Sequence, residues 1–379
     1  MKNVGLIGCG HISETYFRSR EYFNNINITA CADLNIEAAK KCANEYNIIA
    51  KNVDDLLADK KIDVILNLTN PTAHYKTIKN TLLAGKHSYC EKPLSIQFDQ
   101  GKELIDLANS KKLYLGNAPD TFLGGGGQLT KNIIESGKVG EINLGKFIFA
   151  FPGLEPWHPN PEPWYKEGGG PILDMGPYFY TMLVNLLGPA KNVTSFPSTI
   201  STYRKIGIGP KEGTEFKVEV PTTYNIIIEF ESGSIIHGFL SFDVINHQTN
   251  HMEFYGTKGS IIGPDPNMFG GPIKISLTEG GSWEEYSTEE MQLGKTNIFN
   301  QSARSNESPK NANYRGVGLS DMIYSIENNI EHRCNSKLAL HVLDMLDSTI
   351  ESAKLSKTIK LRTTCEKPKP FTEDQISKI

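Results

Sequence analysis

The chain has 379 residues, 39% of them hydrophobic, with a formal net charge of −4, so it is long enough to bury two sizeable cores. That charge excludes a broad basic footprint for nucleic acid, and no apolar run reaches the ~18 residues that would span a membrane. Met1-Lys2-Asn3 leads directly into the first predicted strand, so no cleavable leader is expected. The six cysteines show no paired spacing and read as reduced thiols of a cytoplasmic protein, with no zinc site and no other metal.

Residues 2–7 read as a short buried strand, followed by Gly8-Cys9-Gly10-His11-Ile12-Ser13 and an amphipathic helix to about residue 23. Gly8 permits a tight turn. Gly10 lets the backbone approach a pyrophosphate, which would rest on the free N–H groups and positive end of the helix. Ser13 stands where a third glycine is usual and is small enough for close helix–strand packing. A second strand, 26–32, ends at Asp33, whose carboxylate suits ribose hydroxyls and repels a 2′-phosphate; NAD is expected ahead of NADP.

A helix over 36–45, a short helical turn over 54–58 and a strand over 63–68 follow. Thr69-Asn70-Pro71 breaks the chain at that strand's carboxyl end, where a nicotinamide ribose would lie. His74 opens a helix to residue 84 and is expected to cap it or to touch the ribose. The strand 87–90 delivers Glu91-Lys92-Pro93, and a helix over 99–110 and a strand over 113–116 close the series. Alternating strands and helices predict an α/β doubly wound parallel sheet of about six strands, a Rossmann domain over 1–120. The expected cofactor-binding residues are Gly8, Cys9, Gly10, His11, Ile12, Asp33, Leu68, Thr69, Asn70, Pro71, His74, Glu91, Lys92 and Asn117. Lys92 matters most. An ammonium at the carboxyl edge of a parallel sheet gives a bound cofactor a reacting partner.

Past residue 116 the texture changes, and 121–379 is expected to form an α+β domain with a large, mainly antiparallel open sheet. The glycine run 124–127 precedes a helix to about 136. Strands are predicted over 146–151, 192–200, 216–231, 234–243, 252–255 and 273–277, with Glu231-Ser232-Gly233-Ser234 as a hairpin turn. Residues 280–313 lack periodicity and read as a surface excursion or lid, and helices over 318–329 and 337–354 close the domain.

Oxidising a secondary alcohol needs a base for the hydroxyl proton and donors around the oxygen. Asp174 and Tyr178 are four apart, so on a helix they share a face with each other; Asp174 suits equally the N-cap of a helix over 176–187. His158, in Pro156-Trp157-His158-Pro159, is the competing base. A phenol ordinarily titrates near ~10, so ionising one at neutral pH asks about 4 kcal/mol of its surroundings, whereas an imidazole near ~6.5 asks almost none. With a lysine to help, Tyr178 is preferred. Trp157 and Trp164 read as core residues or as platforms for the apolar faces of a sugar. Asp120 reads as a turn residue or an acceptor for a substrate hydroxyl. His237, His247 and His251 read as packing or surface residues.

The stretches Ala84-Gly85-Lys86-His87 to Glu91-Lys92-Pro93, and Gly168-Gly169-Gly170-Pro171-Ile172-Leu173-Asp174-Met175-Gly176-Pro177-Tyr178, carry a resemblance that extends over nearly the whole chain. They resemble the Gfo/Idh/MocA oxidoreductases, named after glucose–fructose oxidoreductase, inositol dehydrogenase and MocA. The resemblance implies an N-terminal Rossmann domain and a C-terminal domain whose open sheet carries substrate on one face and an oligomer contact on the other, in a homodimer or homotetramer. It implies sugar or polyol substrates, with Lys92 polarising the reacting oxygen opposite an Asp-x-x-x-His pair. Tyr178 takes the histidine's place here. The expected function is NAD-dependent hydride transfer to or from a secondary alcohol of a sugar, inositol or related polyol. A redox-assisted glycoside-cleaving enzyme and a non-catalytic NAD or metabolite sensor stand as alternatives.

Overall fold

The computed structural model describes residues 1–299 and 310–378. The chain divides into two compact units. The first comprises Met1–Asp120, Tyr314–Leu343 and Pro368–Ile379; the second comprises Thr121–Asn313 and Asp344–Lys367.

In the first unit, β1 (Asn3–Ile7), β2 (Asn27–Ala32), β3 (Ile49–Lys51), β4 (Val64–Asn67), β5 (His87–Cys90) and β6 (Leu115–Asn117) form one parallel sheet in the order β3-β2-β1-β4-β5-β6. The helices α1 (His11–Ser19), α2 (Ile36–Tyr46), α3 (Val53–Ala58), α4 (Pro71–Leu83) and α5 (Phe98–Lys111) alternate with them. The strand order reverses between β1 and β4, which places the ligand crevice of such a sheet at their carboxyl ends. All four residues of β4 are buried, as a parallel strand covered on both faces requires. One cluster joins Ile7, Ala30, Leu56 and Ile65; another joins Ile78, Leu82, Leu104 and Leu115 with Ala339 and Leu343. The strand β3, beginning two residues after an Asn47 in the left-handed region, was not anticipated.

The C-terminal segments correct the expected assignment of everything past residue 120 to one domain. The helix Val317–Asn328 and the first part of Ser336–Leu355 belong to the first unit. Glu91 accepts from Arg315, Asp120 accepts from the N–H groups of Gly316 and Gly318, and Asn25 binds Ser320. Arg333 in turn donates to the carbonyls of Lys369 and Pro370, tying in the last segment.

In the second unit the main sheet has nine strands: β7 (Ile142–Ala150), β8 (Ala190–Ser198), β11 (Thr223–Phe230), β12 (Ile235–Ser241), β13 (Met252–Gly256), β14 (Ser260–Gly263), β15 (Ile273–Ser276), β16 (Glu284–Tyr286) and Ile359–Lys360. Every pairing is antiparallel except β7 with β12. Strands β9 (Tyr203–Lys205) and β10 (Glu215–Lys217) form a separate ribbon, so the single strand expected over 216–231 is two. Pro221 lies in the break, where the missing N–H would leave a ladder position empty. Along β11, Tyr224, Ile226, Ile228 and Phe230 are buried while Asn225 and Ile227 face out, the alternation of a sheet with one covered face.

Two helices build the unit's interior. The helix α6 (Gly125–Glu135) starts inside the glycine run rather than after it. Its Gly125 and Gly126 N–H groups donate to the carbonyls of Leu293 and Phe269, and a Cβ on Gly124 would lie 2.4 Å from the Phe269 oxygen. The helix α7 (Gly170–Leu187) is buried along its whole length apart from Asp174. Of the predicted excursion over 280–313, β16 and the pair Ile298–Phe299 with Lys310–Asn311 are ordered strands, and residues 300–309 lie outside the described residues.

Candidate active site

In the first unit the sequence-predicted residues begin at the turn after β1. Gly8 sits at φ 102°, and a Cβ there would come within 2.7 Å of the Leu68 carbonyl carbon and oxygen, so no other residue fits. Leu68 contributes this backbone, its side chain being buried. A Cβ on Gly10 would meet no protein atom within 4 Å. The open space in front of Gly10, at the amino end of α1 where His11 is exposed and Ile12 half-buried, fits a dinucleotide's pyrophosphate. Ser13 closes the turn by donating from its hydroxyl and its N–H to the Gly10 carbonyl. The Asp33 carboxylate accepts from the N–H groups of Cys9 and Asn35, which fixes it beside the turn.

At the end of β4, Asn67 is fully buried, and its Oδ1 accepts from both the N–H and the hydroxyl of Thr69. Sequence reading missed Asn67 because a carboxamide closing a buried strand has no local signature. Asn70 is the N-cap of α4 without a side-chain cap bond, and Pro71 follows in the first turn. Both are exposed.

Four residues assigned to the cofactor or substrate are committed elsewhere. His74 is fully buried, its Nδ1 2.6 Å from the Pro93 carbonyl and its Nε2 2.8 Å from the Thr69 carbonyl, so it neither caps α4 nor reaches a ribose. Burial pushes its pKa down. Its role is to clasp the ends of β4 and β5 together. Asn117 donates its carboxamide protons to the carbonyls of Cys90 and Glu91. Glu91 is buried, accepting from Tyr16 at 2.9 Å and Arg315 at 3.0 Å on one oxygen and from the Lys92 N–H on the other. Burial works to raise its pKa, but Arg315, Lys92 and those hydrogen bonds win and hold it below the usual range. Asp120 has no exposed surface; one oxygen holds the Gly316 and Gly318 N–H groups, and burial pushes its pKa up, which excludes a substrate-facing acceptor. Lys92 itself is half-buried, following directly on this anchored glutamate.

The cysteines show no ligand spacing along the chain, yet three of them converge. The sulfurs of Cys9, Cys31 and Cys42 lie within 4.8 Å of one another, brought in from a turn, a strand and a helix whose spacing along the chain matches no ligand motif.

In the second unit, α7 and the loop before it carry the sequence-predicted residues. Asp174 lies inside α7, whose N-cap is Gly169, so the capping reading of Asp174 is wrong. A Cβ on Gly169 would fall 2.6 Å from the Pro163 carbonyl oxygen, so this glycine lets the loop fold close over the helix start. One helical turn on, Tyr178 shares the Asp174 face; Pro177 between them removes the N–H that would have reached the Leu173 carbonyl. His158 stands between two rings, 4.6 Å from Trp164 and 5.6 Å from Trp157 by centroids. Its Nδ1 accepts from the Asn160 N–H, which leaves the proton of a neutral ring on Nε2. Trp157 and Trp164 pack against the Leu154, Tyr165, Phe216 and Phe242 cluster. A buried network unseen in the sequence holds this loop: Arg204 bridges Glu155 and Asp243, Tyr165 donates to Glu155, and Thr222 and Thr223 donate to Asp243. His237 is exposed on β12, and His247 and His251 are half-buried.

Comparison with known proteins settles the lineage. The model of the oxidoreductase family with an NAD-binding Rossmann fold matches residues 2–118, and that of the GFO/IDH/MocA C-terminal domain matches 128–262. The chain belongs to the Gfo/Idh/MocA family. Its first unit is thus an NAD-binding Rossmann domain. An uncharacterized oxidoreductase of Schizosaccharomyces pombe is 32% identical over 148 residues, 38% of each chain. The match thus spans about two-fifths of that relative. YrbE of Bacillus subtilis, also uncharacterized, is 26% identical over 68% of this chain and 72% of its own. The inositol 2-dehydrogenase/D-chiro-inositol 3-dehydrogenase of Lactiplantibacillus plantarum is 32% identical over 29% of this chain and 32% of its own. In fold, the chain is similar to levoglucosan dehydrogenase in complex with NADH and L-sorbose, with a TM-score of 0.80 at 20% identity over 96% of this chain and 99% of the other. No helix among the described residues is long and apolar enough to cross a membrane.

Proposed function

We propose that this Gfo/Idh/MocA protein is an NAD-dependent dehydrogenase or reductase acting on a secondary alcohol of a sugar, inositol or related polyol. The observation that carries the reading is the placement of Lys92 at the carboxyl end of β5, next to a glutamate locked by Arg315 and Tyr16, in an NAD-binding unit. Levoglucosan dehydrogenase and inositol dehydrogenase among the similar proteins support the substrate class. NAD, when bound, accepts the hydride from the carbinol carbon. Gly8, Gly10 and the amino end of α1 hold the pyrophosphate, Asp33 the adenosine ribose, and Thr69 to Pro71 line the nicotinamide end. Lys92 donates to the reacting oxygen as negative charge develops there. Tyr178, paired with Asp174 on α7, takes the hydroxyl proton. Tyr178 is preferred over His158 because the basic nitrogen of neutral His158, Nδ1, already accepts from Asn160.

The outward residues Leu144, Ile227 and Ile235 on β7, β11 and β12 are exposed apolar groups on the sheet, and they suit a homodimer or homotetramer contact. Six free cysteines suit a reducing, cytoplasmic setting.

The test is NADH appearance when the protein and NAD meet a panel of sugars, inositols and sugar acids, with Lys92→Ala alongside. Lys92→Ala is expected to lower kcat by about 10²–10⁴-fold while NADH still binds. Tight NADH binding with no turnover across the panel would sink the dehydrogenase reading.

A further inference from the structure

We propose that Cys9, Cys31 and Cys42 form a site for one soft, thiophilic cation, and that filling it opposes NAD binding at the adjoining glycine turn. The three thiols converge from separate elements of the first unit. Cys31 lies in β2, Cys42 lies on the buried face of α2 with Ala39 and Ala43, and Cys9 lies in the turn after β1. The frame is fixed by the backbone, with Gly8 N–H donating to the Ala32 carbonyl at 2.9 Å and the Cys31 sulfur 3.4 Å from the Ala39 carbonyl. Cys31 and Cys42 are buried and Cys9 is half-exposed, so an ion has one side by which to arrive.

Distances suit the chemistry. Thiolate–zinc bonds of about 2.3 Å in a tetrahedron place sulfurs about 3.8 Å apart. The observed sulfurs, all within 4.8 Å, need to close by about 1 Å or less, within reach of side-chain rotation. The ligand set is sulfur alone, which selects Zn(II) or a similar soft ion over Mg(II) or Ca(II). Binding is Zn²⁺ plus three thiols giving a tris-thiolate complex of net charge −1 and three released protons, with solvent as fourth ligand on the Cys9 side. That negative charge falls on Cys9, between Gly8 and Gly10. The second half of the proposal rests on this turn receiving the cofactor's pyrophosphate, and two anions there repel each other.

The experiment titrates metal-free full-length protein with Zn(II) against a chromophoric chelator, then repeats with Cd(II), whose thiolate charge-transfer absorbance reports the number of sulfurs bound. One equivalent bound through three thiolates is expected, lost in Cys42→Ser and Cys31→Ser and kept in Cys365→Ser. NADH fluorescence titrations of the metal-free variants show that they are folded, and the same titration of zinc-free wild type tests the cofactor reading separately. With zinc bound, the Kd for NADH is expected to rise about tenfold. Stoichiometry below one, or binding that survives Cys42→Ser and Cys31→Ser, overturns the site. Zinc held by the three thiols with an unchanged NADH Kd overturns the antagonism.

Discussion

The two units use buried polar groups differently. In the first, Glu91, Asp120, His74 and Asn117 hold main chain: strand ends, the start of a helix and the segment carrying Lys92. In the second, Arg204, Glu155 and Asp243 hold a loop that carries the aromatic pair and His158. One arrangement fixes where a lysine sits on a rigid sheet edge. The other fixes the pose of a segment expected to differ between enzymes of different substrate. Polar residues in a motif are therefore not all contacts to ligand; many shape the backbone that presents the one residue that is.

The contrast breaks most sharply at the two arginines. Arg315→Met leaves Glu91 buried without its cation and is expected to cost about 3–5 kcal/mol in urea unfolding, with NADH affinity falling alongside. Arg204→Met leaves both Glu155 and Asp243 buried without their cation and is expected to cost a similar amount, about 3–5 kcal/mol, but to raise the KM for substrate while leaving the Kd for NADH unchanged. Equal effects of both on NADH binding would erase the distinction.

Next in size, Tyr178→Phe is expected to lower kcat about 10²-fold, whereas His158→Ala acts mainly on KM. The reverse ranking would move the proton to His158. In the first unit, burial lowers His332 to about 3 and His87 to about 4, so the unfolded chain binds protons that the folded chain refuses. Stability is full above about pH 6.5 and is lost as pH falls through 5. His332, 4% exposed, contributes about 2 kcal/mol of that loss at pH 5. Thermal melts of wild type and His332→Leu check this, the variant showing a shallower slope between pH 6.5 and 5. Smallest is Asp33→Asn, expected to raise the KM for NAD about tenfold and narrow the preference over NADP.

Apart from β3, the parallel sheet was legible because its strands announce themselves as short buried runs followed by a turn residue, as Ile7 leads to Gly8 and Ala32 to Asp33. That Asp174 and Tyr178 share one face of α7 was legible from their four-residue spacing. What escaped depends on distance along the chain. Glu91 and Arg315 are 224 positions apart, and no local pattern reports a pairing at that separation. The same blindness hid the thiol trio and the return of residues 314–343 to the first unit. Pro221 is a different case: the break it makes in the long strand was readable, since proline lacks the N–H a ladder needs.

The split of the first unit into three stretches of chain bears on how the protein is made. A ribosome adding about 5–20 residues per second needs roughly 11 to 45 s to pass from Glu91 to Arg315. During that interval the nascent Rossmann segment has its glutamate but not the guanidinium that neutralises it, nor the glycine amides that occupy Asp120. Most of the second unit, the run from Thr121 to Asn313, emerges in between, and its segment Asp344–Lys367 only afterwards. Completion of the first unit's buried polar contacts is therefore a late event in biosynthesis, supplied by residues 315–318 rather than by the segment that contains the nucleotide turn.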